Sequence, residues 1–209
     1  MRLTAPGALL AATVLIRAGG FPYDSAWGRG VWIVAGLACL VSLRWGAAAV
    51  AVVTWITVFS DYYNHVLFIA WMSTSYAIFT DYRQLRLVVR SQLSIVYGFA
   101  GISKISPVWL SGAALTSRGV DLPEGLLVPV AVAAVLVEAY LAVALWLPPL
   151  RAPTLVVGGG MHVGFWLMMG DRLITEWGLL PFNLLAFGLL VWSTSDLRSR
   201  GRSPRGRAT

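Results

Sequence analysis

The sequence predicts an all-α protein: a polytopic bundle of about seven to eight transmembrane helices with a cytoplasmic C-terminus. Three observations lead there. Apolar residues make up 58% of the 209 positions and charged residues only 12%, against close to half and about a quarter in a soluble domain. The apolar residues fall in long blocks, where a soluble amphipathic helix would show a stripe of period 3.6 and a half-buried strand an alternation. The arginines gather between the blocks.

Eight apolar segments are read, at about 7–21, 30–43, 46–60, 64–80, 87–103, 125–147, 153–170 and 178–193. Several are shorter than the ~20 residues of a perpendicular span, so tilted, broken or re-entrant segments are expected among them. The first is interrupted by Arg17 and Gly19-Gly20. It is read as a span and not as a signal peptide, because only Arg2 precedes it and no small-residue cleavage site follows. The expected organisation is one membrane domain over 1–196 and a basic, disordered tail over 197–209.

Orientation follows from the basic residues. The tail carries Arg198, Arg200, Arg202, Arg205 and Arg207 directly after the last segment, which places it in the cytoplasm by the positive-inside rule. Counting back with alternating spans puts Arg151, Arg83 with Arg86, Arg44 and Arg2 on the same side. Every short cytoplasmic connection then holds an arginine. The net charge of +7 is explained by these flanks and the tail, and no nucleic-acid recognition motif accompanies them. Cys39 stands alone, so no disulfide framework or cysteine-based metal site is expected.

Ionisable groups within apolar segments are expensive and usually face a cavity or a partner. With the orientation above they collect on the non-cytoplasmic half: Asp61, Asn64 and His65 between segments three and four, Lys104 and Trp109 after segment five, Asp171, Arg172 and Glu176 between segments seven and eight. Glu138 and His162 sit deeper, in the middle of segments six and seven.

Lys104 is the only lysine against fifteen arginines. Arginine stays charged under all ordinary conditions, whereas a desolvated lysine can give up its proton and act as a base. Arg90, Ser94, Tyr97, Gly101 and Lys104 follow one another at +4, +3, +4 and +3, a single polar stripe on an otherwise apolar helix. Such a face suits the lining of an internal cavity, with Gly101 letting another helix or a ligand approach. The plainer reading has Arg90 and Lys104 reaching to opposite membrane interfaces.

His65 stands four residues from Asp61, so imidazole and carboxylate share a helical face and suit proton transfer. His162 is followed by Phe165 and Trp166, which suits an aromatic-walled pocket; a lone histidine in a membrane helix also simply ties helices together. Glu138 suits a proton donor, or an ion-pair partner for Arg90 or Arg17. No metal-ligand spacing is present, so neither a metal nor another cofactor is expected. Tryptophans near segment ends, Trp55, Trp71, Trp109, Trp177 and Trp192 among them, fit interfacial belts.

The run Asn64-His65, then Arg90-x-Gln92 with Tyr97, Ala100-Gly101 and Lys104, then Trp109-x-x-Gly112-x-x-Leu115, resembles the horizontally transferred transmembrane (HTTM) domain. That domain is the membrane part of vitamin K-dependent gamma-glutamyl carboxylase and of bacterial homologues. His162 and Glu176-Trp177-Gly178 through Phe182 fall in the order of the family's second histidine region, and the resemblance covers roughly 45–190. It implies a catalytic base at Lys104 that deprotonates a reduced quinone, and a site open to the non-cytoplasmic side. The carboxylase also has a large lumenal domain for its peptide substrate, whereas this chain ends about fifteen residues after its last expected span. Peptide carboxylation is therefore not expected.

The resemblance to short bacterial relatives implies terpene cyclisation, initiated by protonation of a prenylated natural-product intermediate such as a farnesylated indole or diketopiperazine. Glu138, Asp61 and Glu176 are the candidate acids. His65, His162 and Lys104 are candidates for the last proton. Tyr97, Trp109, Phe165 and Trp166 are candidate walls that stabilise a carbocation, and Asn64 and Arg90 complete the substrate-binding set. Quinol chemistry at Lys104 and a non-catalytic scaffold are the alternatives. The expected partners are an isoprenoid substrate, the lipid bilayer and a biosynthetic enzyme such as a prenyltransferase, with no nucleic acid.

Overall fold

The computed structural model describes residues 5–20, 26–60, 64–79 and 81–169, and these are helical with no strand among them. Seven long helices and two short ones are present among the described residues: α1 (Ala5–Gly20), α2 (Ala26–Val41), α3 (Leu43–Ser60), α4 (Asn64–Ile78), α5 (Tyr82–Ser103), α6 (Pro107–Leu110), α7 (Ala113–Ser117), α8 (Glu124–Ala144) and α9 (Arg151–Met169). The all-α expectation holds, and seven of the eight apolar segments coincide with long helices. The eighth, 178–193, lies outside the described residues, as does the tail. Among the described residues, only α8 is long and apolar enough to cross a membrane by itself, with a mean hydropathy of 2.4, while α1 to α4 contain shorter apolar helices.

Local chemistry sets the boundaries. Asp81 caps α5, its carboxylate accepting from Arg83 N at 3.0 Å, so the helix starts five residues ahead of the apolar block that the sequence shows. An N-cap carboxylate satisfies a backbone donor that the helix leaves open. Lys104 closes the same helix with its N–H on Gly101 O at 3.1 Å. Pro148 and Pro149 follow α8 in a single 3-10 turn, which leads into α9.

Consecutive helices pack on one another from α1 to α4, and α5 packs on α8, with lighter contacts from α4 to α5 and from α8 to α9. The interior combines Leu10, Ile69, Met72, Leu93 and Leu141 with small or hydroxylated residues such as Ala35, Ala47, Thr54, Ser73 and Ala144. Those hydroxyls bond the carbonyl one turn back, Thr54 on Val50 O and Ser73 on Ile69 O, both at 2.7 Å, and so satisfy themselves within their own helix. The outside is apolar. Phe59 is 84% exposed, Val41 88%, Trp45 75% and Phe99 70%.

The connection between α5 and α8 folds into α6 and α7 against the start of α8. Ser106 caps α6 with its hydroxyl on Trp109 N, and Pro107 supplies the first helical position. Gly112 then takes φ +81, and a methyl added there would lie 2.6 Å from Leu127 Cβ. Gly112→Ala is therefore expected to lose about 2–4 kcal/mol, from left-handed strain and overpacking together. Thermal unfolding in detergent checks this, and an unchanged midpoint would contradict it.

Candidate functional site

Helices α5 and α8 run antiparallel, and the predicted polar stripe faces α8. Ser94 Oγ donates to Ala142 O and accepts from Trp146 Nε1 at 3.1 Å. A methyl on Gly98 would meet Ala142 Cβ at 3.6 Å, and one on Gly101 would meet Glu138 Cβ and Ala139 N, each at 3.5 Å. Trp109 Nε1 donates to Ala131 O at 3.1 Å. Gly101 thus admits a neighbouring helix, one of the two approaches its spacing allows. The stripe is a helix-packing face, not the open cavity lining that the pattern suggested. Arg90, which starts the stripe, is half-buried.

The packing brings Glu138 to Lys104. Lys104 Nζ lies 2.7 Å from both Oε1 and Oε2 of Glu138 and donates its remaining hydrogen to Ala100 O at 3.3 Å. All three ammonium donors are satisfied, and the carboxylate is held at both oxygens. The side chains keep 15% and 6% of their exposure, so the charges are largely out of contact with solvent and depend on each other. The expected ion-pair partners of Glu138 were Arg90 and Arg17. Its partner is Lys104, at the same end of the α5–α8 interface.

Trp109 is buried, and its ring lies 5.2 Å from Lys104 Nζ and 5.2 Å from Arg118 Cζ. The aromatic face therefore already serves as a cation platform. Arg118 has no place in the sequence reading. The signal that finds it is the glycine at each end of α7, Gly112 at φ +81 and Gly119 at φ +73, which marks two turns and so a chain that folds back toward Trp109.

A second polar pair lies two turns along α5. Tyr97 Oη and His162 Nε2 are 3.0 Å apart, both side chains buried, with His162 supplied by α9. When Nε2 carries no proton, the phenol donates to it. His162 is thus joined to the same α5 face as Lys104, which the sequence placed on a different segment without a stated partner.

The remaining predicted residues fall, wholly or in their side chains, outside the described residues. Asn64 and His65 open α4, with side chains outside the described residues; Phe165 and Trp166 lie within α9, again without described side chains; Asp61 and Glu176 fall outside the described residues altogether. A shallow trough of about 590 Å³ lies elsewhere, between α2 and α3, lined by Gly30, Val34, Ala38, Val53 and similar residues. No ionisable group is among its described lining residues. Among the described residues no cluster of three or more histidine, cysteine or acidic side chains is placed to hold a metal.

No family model, curated protein or solved structure matches this chain. The resemblance to the HTTM domain rests on its motif residues alone. Of these, Gly101, Lys104 and Trp109 meet α8, and Tyr97 meets His162 of α9.

Chemically, the site holds one transferable proton between an amine and a carboxylate. With the proton on nitrogen it is an ion pair; with the proton on oxygen it is a carboxylic acid beside a free amine. The same two side chains can therefore offer an acid or a base.

Proposed function

We propose that this chain is an integral-membrane enzyme acting on an isoprenoid substrate, with Lys104–Glu138 as its proton-transfer centre and protonation-initiated cyclisation as its reaction. The membrane reading is supported by the exposed apolar side chains on helices from α2 to α9, such as Val34, Phe59, Phe99, Val143 and Leu167, a distribution that water does not tolerate over so large a surface. With the bilayer as solvent, seven to eight tilted segments and a cytoplasmic tail satisfy the arginine distribution.

The observation that carries the enzymatic reading is the bidentate Lys104–Glu138 pair set against the Trp109 ring. Shifting the proton to Glu138 creates a carboxylic acid able to protonate a terminal alkene or epoxide. A ring that already attracts an ammonium and a guanidinium suits the stabilisation of a carbocation formed next to it. Isoprenoid chains dissolve in the bilayer, and no soluble domain is needed to deliver them.

A second reading has one observation in its favour. Lys104 is the more exposed member of the pair and occupies the motif's lysine position, so a quinol hydroxyl would meet Nζ first. Lys104 would then act as the base.

Membranes containing the protein, fed a farnesylated indole and separately a hydroquinone, distinguish the two. Glu138→Gln is expected to lower cyclisation by about 10²–10⁴-fold, the usual worth of a general acid, while product survives in Lys104→Gln. Quinol turnover lost in Lys104→Arg, with normal membrane insertion, supports the second reading. Wild-type membranes that turn over neither substrate would overturn both.

A further inference from the structure

The Tyr97–His162 pair has no part in the initiation step described above, yet it is buried and shares a helix face with the initiating pair. Tyr97 and Lys104 are seven residues apart on α5, two turns and about 10 Å along the axis. That length is comparable with a folded farnesyl chain. A cyclisation begun by protonating one end must finish by removing a proton elsewhere, so a second proton group two turns from the first is chemically apt.

We propose, on the basis of the cyclase reading, that Tyr97, backed by His162, takes the last proton. The balance is simple. The C–H bond beside the cationic carbon breaks, and its electron pair becomes the new alkene. Its proton passes to the Tyr97 oxygen as the phenolic hydrogen passes to His162 Nε2, over the 3.0 Å contact already present. The Lys104–Glu138 pair has lost one proton and His162 has gained one; exchange with bulk water resets both, and the substrate is isomerised without any other reactant.

On this proposal the substrate reaches Tyr97 past α9. Gly158-Gly159-Gly160 lies in the middle of this helix, one turn ahead of His162, and each glycine there costs about 1 kcal/mol of helix propensity against alanine. A methyl on Gly160 or Gly164 would meet nothing within 4 Å among the described residues. α9 also packs on α8 more lightly than α5 does. On this proposal the glycines are where α9 would bend, so that its His162 half admits a chain from the bilayer and returns the imidazole to the phenol.

The test is the product distribution from farnesylated indole in membranes carrying the wild type, Tyr97→Phe or His162→Gln. Glutamine keeps a hydrogen-bond acceptor for Tyr97 but cannot take its proton. Both variants are expected to yield water-captured alcohol or isomeric alkenes, with the wild-type alkene down about a hundredfold relative to them. If both variants keep the wild-type product ratio, the pair is structural and the inference is overturned. Should Tyr97→Phe fail to accumulate in membranes, His162→Gln decides alone. A wild type that cyclises normally while the variants keep its ratio overturns only this inference; a wild type that yields no cyclised product overturns the cyclase reading with it.

Discussion

Lys104→Met is expected to destabilise the protein by about 3–5 kcal/mol, because it leaves the Glu138 carboxylate buried and unpaired. Glu138→Leu should cost less. Lys104 keeps 15% of its side-chain exposure against 6% for Glu138, and a lysine at a helix end can turn its ammonium toward the interface. The double variant, with both charges replaced by apolar groups of similar volume, is expected to be near wild type or up to about 4 kcal/mol more stable, while losing all turnover. Unfolding by denaturant in detergent, carried through the full cycle, measures this. Single variants and double variant equally destabilised would show that the site is held by packing and not by the pair.

Gly46→Ala is expected to have an effect of similar size from a purely steric cause. Ser42 is the only residue between α2 and α3, and Ser42 N and Gly46 N continue the hydrogen-bond ladder onto Ala38 O and Ser42 O. The turn is so tight that a methyl at Gly46 would overlap the backbone of Ala38 and Cys39. Backbone cannot rotate away as a side chain can, so the two helices must separate. A loss of about 3 kcal/mol, at the upper end for overpacking, is expected, read as a lower unfolding midpoint and lower membrane accumulation. Wild-type stability in this variant would show that the α2–α3 approach is looser than described.

Much of the fold was legible because long apolar helices announce themselves by composition. Segments three, four and six match α3, α4 and α8 to within a few residues. α5 was legible as a stripe, since Arg90 to Lys104 repeat at helical spacing, but not as the face that meets α8. An antiparallel register between segments 34 residues apart is decided by side-chain fit. The small residues Gly98 and Gly101 hint at a close approach without saying by what. For the same reason Glu138 suggested Arg90 or Arg17 as its ion-pair partner, and not the Lys104 it meets. Trp109 was read as belt or wall, because a tryptophan near a span end usually lies at the interface. Here the α6–α7 fold-back buries it and turns its N–H onto Ala131 O. The Ser106-Pro107 start and Gly112 are local signals of that fold-back, short enough to pass as loop.

The proton itself gives the most direct test of the Lys104–Glu138 centre. With farnesylated indole and membranes in D2O, wild-type protein is expected to yield a cyclised product carrying one deuterium at the initiating carbon, and Glu138→Gln to yield at least about a hundredfold less of it. Cyclised product formed at the wild-type rate by Glu138→Gln, or formed by the wild type without deuterium, would contradict an initiating proton from Glu138.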